Sequence, residues 1–92
     1  MAVLRPSGEL DLATVDRFRR EVQAALADAP EELVLDLRDV TFLDSSGIAV
    51  LASALRAQQV RGGRLVLAHP QGIVGRALDL VGLGALVSDE VS

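Results

Sequence analysis

The run Leu33-Val34-Leu35-Asp36-Leu37, set between Glu31-Glu32 and Arg38-Asp39, constrains the fold of this 92-residue chain more than any other segment. Apolar side chains at both odd and even positions leave no face for water, so the segment reads as a strand buried on both sides. Arg64-Leu65-Val66-Leu67-Ala68 has the same character. Between the two runs, Ile48, Leu51, Ala52 and Leu55 fall at helical spacing. Upstream, Val15, Phe18, Val22 and Leu26 do so too, with Asp16, Arg17, Arg20 and Glu21 on the opposite face. Strands alternating with helices over short connections predict an α/β fold. The expected form is a single domain over residues 1–92, with one layer of mixed, mostly parallel sheet packed by helices.

The remaining elements follow from their punctuation. Val3-Leu4 opens a strand that ends at Ser7-Gly8-Glu9-Leu10. The first helix runs from about Ala13 to Ala27, started by Thr14 or Asp11 and stopped by Asp28-Ala29-Pro30. Arg38-Asp39-Val40 reads as a turn, and Thr41-Phe42-Leu43 leads into Asp44-Ser45-Ser46-Gly47. The second helix ends near Val60, broken by Gly62-Gly63. His69-Pro70-Gln71-Gly72 turns the chain into a third helix carrying Ile73, Ala77, Leu78 and Val81. Gly82 and Gly84 close that helix, and Leu86-Val87 is a candidate last strand.

Several chemistries are disfavoured at once. The chain has no cysteine, which removes disulfides, thiolate catalysis and cysteine-ligated metals and fits a reducing compartment. Met1 to Pro6 lacks the basic start and apolar core of a signal peptide. No apolar run approaches the roughly 18–20 residues that span a bilayer. A soluble cytosolic protein is expected. A net charge of -4, with no basic stripe and only Phe18 and Phe42 as aromatics, argues against direct nucleic-acid binding.

Enzyme readings fare no better. His69 is the only histidine and precedes Pro70 in a turn, which suits surface decoration better than a triad or metal site. Ser45 lacks the leading glycine of a G-x-S-x-G elbow. Gly62-Gly63-Arg64 does not fit a phosphate-binding loop. Glu9, Asp11 and Asp44 sit at strand ends, but their spacing matches no metal loop, so they are read as solvated carboxylates. The expectation is no catalytic residue, no metal and no cofactor.

Asp44-Ser45-Ser46-Gly47 admits two readings. Asp and Ser at a helix N-terminus accept hydrogen bonds from free amides, worth about 1 kcal/mol, and Gly47 permits close packing on a strand. The same geometry presents Ser45 at the carboxyl end of a strand, where α/β proteins meet their partners. A phosphoryl group there adds roughly -1.5 to -2 charges, next to Asp44 and, if the fold brings it near, Asp11.

Taken together, Gly8-Glu9-Leu10-Asp11, Leu35-Asp36-Leu37, Phe42-Leu43-Asp44-Ser45-Ser46-Gly47-Ile48 and Val81-Gly82-Leu83 resemble the STAS domain of bacterial anti-sigma-factor antagonists. The resemblance runs in order over nearly the whole chain, and its most specific part is F-x-D-S-S-G-[IL]. It implies a partner switch in transcription regulation. The unphosphorylated antagonist binds an anti-sigma factor that is itself a serine kinase and frees the sigma factor. Phosphorylation of the serine matching Ser45 reverses binding, and a metal-dependent serine phosphatase resets it. Asp11 and Asp44 match the aspartates flanking that serine, and Ser46 the neighbouring hydroxyl, a candidate second phosphosite. Asp11, Asp44, Ser45, Ser46 and Gly47 are accordingly expected to form the partner-binding surface.

The family pattern also carries a strand before the one ending in Gly-Glu-Leu-Asp, whereas only Met1 to Ser7 precede that motif here. Either the start lies upstream or a sheet edge is left open, and an open edge invites a homodimer. The closing helix is likewise expected to be short or missing. The alternatives within the fold are a non-phosphorylated STAS partner of a lipid-transport ATPase complex and a ligand-sensing STAS module.

Overall fold

The computed structural model describes residues 1–88. Along the chain lie β1 (Ala2–Leu4), β2 (Ser7–Leu10), α1 (Val15–Ala27), β3 (Glu32–Asp36), β4 (Asp39–Leu43), α2 (Ser45–Val60), β5 (Arg64–Ala68) and α3 (Gly72–Leu80), then a 3-10 turn at Gly84–Leu86. The central strand β3 has β1 on one side and β5 on the other, all parallel, with Leu33 opposite both Ala2 and Leu65. Leu33, Leu35, Leu37, Leu51 and Leu67 are fully buried in one core with Val15, Phe18 and Val22 of α1. Val34 joins Val66 and Ala68 in a second, smaller cluster, so β3 is buried on both faces as its composition requires.

The α/β architecture stands as read, but its strands divide between two sheets instead of one layer, and each ladder among the described residues is parallel. The expected single strand from Val3 to Leu10 is two. Pro6 has no N–H to give a ladder, so pairing with β3 ends at Leu4 and resumes at Ser7 against β4. Arg5 turns outward at the break and pairs with Asp39 at 2.8 Å. Arg38-Asp39-Val40 is accordingly not a free turn, because β4 begins at Asp39, opposite Ser7. The alternation of β4 is broken by a register shift: Gly8 pairs Val40 and Glu9 pairs Phe42, leaving Thr41 as an extra residue. Thr41 and Phe42 are both exposed in consequence.

Helix α2 is turned relative to its expected stripe. Of Ile48, Leu51, Ala52 and Leu55 only Leu51 is fully buried; Gly47, Val50, Ala54 and Gln58 complete the buried set. The helix touches α1, β4 and β5, so it buries a wider arc than a one-sided stripe. Gln58 is buried and its Nε2 donates to the carbonyls of Pro30 (3.0 Å) and Arg64 (2.9 Å), tying the end of α2 to the approaches of β3 and β5.

Helix α3 stops at Leu80, and half-exposed Val81 caps it. Leu86-Val87 forms no strand. The 3-10 turn delivers Val87 to a single parallel bridge with Leu67, where Ser88 N donates to the Leu67 carbonyl. The segment in which the closing helix is expected to be short or missing lies outside the described residues. No strand among the described residues pairs with the outer side of β1.

Candidate functional site

Leu10 and Leu43, the last residues of β2 and β4, are direct partners in the ladder. The two loops that follow therefore leave the sheet side by side. Asp44 N donates to the Leu10 carbonyl at 3.2 Å, extending the ladder by one step before the chain turns into α2.

Asp44 is the N-cap of α2, with extended backbone. Its Oδ1 accepts from Ser46 N (2.8 Å) and Gly47 N (3.3 Å), and its carbonyl accepts from Ile48 N. Amides that would otherwise be orphaned at the helix start are thereby satisfied. Gly47 is buried against the end of β2. A Cβ there would stand 2.8 Å from the Leu10 carbonyl oxygen and 2.5 Å from Leu43 Cδ1, so the close approach of α2 to both strands requires glycine.

The other carboxylate oxygen of Asp44 serves the neighbouring loop: Oδ2 accepts from Leu12 N at 3.3 Å. That loop is braced from within. Asp11 Oδ1 accepts from Ala13 N (2.9 Å) and Thr14 N (3.1 Å), while the Asp11 carbonyl accepts from Val15 N. Thr14 Oγ1 donates to the Glu9 carbonyl at 2.6 Å and accepts from Asp11 N at 3.1 Å. Both start signals suggested for α1 are used. Asp11 holds the turn, and Thr14 occupies the N-cap position without a side-chain cap of its own.

The structure thus brings the expected site residues to one end of the two-stranded sheet. Ser45 is the first residue of α2 and is exposed; Ser46 is half-buried and Gly47 buried. Asp11 joins them through Leu12 and Asp44. Glu9, Asp11 and Asp44 form no ion pair among the described residues, whereas Asp16, Glu21, Glu32, Asp36 and Asp39 each have an arginine. No group of three or more His, Asp or Glu among the described residues could hold a metal ion. No helix among them is long and apolar enough to cross a membrane. His69 lies apart from this end, half-buried in the turn after β5, with its carbonyl accepting from Gln71.

The STAS domain model matches residues 1–91. The chain belongs to the STAS-domain family. Among curated STAS relatives, the anti-sigma F factor antagonist of Paenibacillus polymyxa is 34% identical, over 88% of this chain and 70% of the relative. The anti-sigma-F factor antagonist RsfB of Mycobacterium tuberculosis is 36% identical, over 90% of this chain and 67% of its own length. The structure of the anti-sigma factor antagonist SpoIIAA in its unphosphorylated form superposes with a TM-score of 0.81 at 27% identity, covering 96% of this chain and 80% of that one. Bacillus SpoIIAA in its phosphorylated form gives 0.73 at 25% identity, covering 96% and 83%.

Two residues at this end of the STAS domain were not singled out for the candidate site by sequence reasoning. Thr14 was visible only as a cap, yet it locks the loop to Glu9. Leu12 stands between Asp11 and Ala13 outside any helical stripe, and it is 80% exposed. An apolar residue out of phase with both neighbouring elements was the one signal available.

Proposed function

We propose that this STAS domain is an anti-sigma-factor antagonist switched by phosphorylation of Ser45. It works as a cytoplasmic binding module and catalyses nothing itself. Relatives named as such antagonists, and likeness to SpoIIAA in both its phosphorylated and unphosphorylated forms, support the reading. The observation that carries it is the setting of Ser45: exposed, first in α2, beside a carboxylate that already occupies the amides of Ser46 and Gly47.

That setting has a chemical consequence. A serine-kinase anti-sigma factor forms the Oγ–P bond by transferring the γ-phosphoryl group of ATP, with the hydroxyl proton passing to the kinase and ADP leaving. An unoccupied helix N-terminus would draw the new dianion inward. Here Asp44 holds two of those donors, the amides of Ser46 and Gly47, so the phosphoryl group stays outward, against the nucleotide phosphates it came from. Size and like charge then drive the two proteins apart. A serine phosphatase hydrolyses the ester and restores the binding form. Asp11, Asp44, Ser46 and Gly47 complete the docking surface, with Ser46 as a second phosphosite. The open side of β1 is the homodimer contact of the same reading.

The decisive experiment is phosphorylation with ATP by the purified cognate kinase, read by mass spectrometry. The expected product gains one phosphate on Ser45, and Ser45→Ala gains none there. Ser45→Asp should bind the kinase about tenfold or more weakly, the cost of an unmatched interfacial charge. Undiminished labelling of Ser45→Ala, or undiminished binding of Ser45→Asp, would refute the proposal.

A further inference from the structure

Leu12 is 80% exposed, its amide bonded to the residue that precedes Ser45, and the fold makes no use of its side chain. A single exposed leucine is ordinary on a protein surface. Two observations set this one apart. Its amide and the loop around it are held, with Leu12 N on Asp44 Oδ2, Ala13 N and Thr14 N on Asp11 Oδ1, and Thr14 Oγ1 on the Glu9 carbonyl. The conformational freedom that a mobile loop loses on binding is therefore already restricted in the free protein. Leu12 is also joined to the switch, because one carboxylate, Asp44, holds both its amide and the start of the helix that bears Ser45.

We infer that Leu12 is the apolar anchor of the partner surface, and that the anti-sigma factor receives it in an apolar pocket. Glu9 and Asp11, within three positions of Leu12 in the chain, carry no arginine partner among the described residues, and their charge calls for lysine or arginine on that pocket's rim. The inference rests on the Ser45 reading above and adds a mechanism of release. Loop 11–14 and the first turn of α2 move as one piece, so Leu12 can be seated only while the Ser45 hydroxyl is seated. A phosphoryl group that lifts Ser45 away from the nucleotide withdraws Leu12 from its pocket. A small added group thus breaks an apolar contact it never touches.

Calorimetric titration tests this, using each purified serine-kinase anti-sigma factor of the same genome in turn, with ADP present. Leu12→Ala should weaken binding about tenfold or more, as truncation of an interface anchor does, while Leu12→Met stays within about threefold. The thermal midpoint of Leu12→Ala should match that of the unmodified protein, because an exposed side chain adds little to folding. In a Ser45→Asp background, adding Leu12→Ala should change affinity less than about twofold, because the contact is already broken. Leu12→Ala binding like the unmodified protein, while Ser45→Asp loses affinity, would overturn the anchor and leave the switch standing. Full additivity of the two substitutions would overturn the coupled release. If the unmodified protein binds none of these kinases and is labelled by none, both readings fall.

Discussion

At the centre of the three-stranded sheet, Leu33, Leu35 and Leu67 are fully buried, and neighbouring strands and helices fill the space around them. At one end of the two-stranded sheet, the side chains of Leu12 and Ser45 face water and the backbone is held by carboxylates and a hydroxyl: Asp44, Asp11 and Thr14. The first region gains its free energy from apolar area removed from water. The second gains little of that and is made rigid by directed hydrogen bonds instead. The recognition role proposed for this end needs a fixed shape while its recognising groups stay uncovered, and polar bracing meets both demands. Glycine joins the regions at Gly47, where the helix carrying Ser45 is pressed onto the ends of both strands.

Substitutions sharpen the contrast. Leu35→Ala empties a fully buried position and should cost about 2–5 kcal/mol in urea unfolding, the usual range for such cavities. The largest effect on folding is thus expected far from the largest effect on binding. Gly47→Ala comes next, at about 1–3 kcal/mol, because its methyl group meets a backbone oxygen that cannot swing aside. It should also impair binding, since the start of α2 must move off β2. A Gly47→Ala protein with unchanged stability would show that the helix is not pressed onto the strand.

Asp44→Ala removes a cap at a cost of about 1 kcal/mol. Its distinctive effect should be local: faster amide hydrogen exchange at Leu12, Ser46 and Gly47, with exchange in β3 altered only by the global loss of stability. Unchanged exchange at Leu12 would mean that the two loops are not coupled through this carboxylate.

The smallest effect concerns pH and lies at the end of β3. Burial pushes the Asp36 carboxyl upward, but the Arg38 guanidinium and amide outweigh it and hold the group below its ordinary value of about 3.9. A depressed carboxyl contributes stability that is complete above the ordinary value and is lost as pH falls through the folded one. Urea midpoints should therefore decline below about pH 4, and Asp36→Asn should flatten that part of the decline. An equally steep loss in Asp36→Asn would place the acid sensitivity elsewhere.

How much of this was legible from the chain depends on what each element answers to. The strand at Glu32–Asp36 and the helix at Val15–Ala27 follow from local pattern, since burial on both faces or on one stripe leaves a trace in the sequence. The cap at Asp44 was equally plain, because an aspartate before a helix binds the amides that follow it. The division into two sheets was not. It arises where Pro6 ends one ladder and the chain crosses to another, and neighbouring residues do not record which strand they will meet. The bulge at Thr41 hid β4 by spoiling its alternation. The α2 stripe was misjudged because three elements pack around that helix, and a single-face pattern describes only one.

By itself the sequence determined the α/β class, the buried central strand, the family and the identity of Ser45 as the first hydroxyl of its helix. Those properties rest on interactions between residues a few positions apart, or on motifs carried whole in one segment. Only the tertiary structure decided that the loops of Asp11 and Asp44 lie side by side, that Asp44 already holds the Ser46 and Gly47 amides, and that Leu12 stands exposed between them. Those depend on Leu10 and Leu43 being paired across the ladder, thirty-three positions apart in the chain. A contact of that kind is set by packing of the whole domain, and no local pattern encodes it.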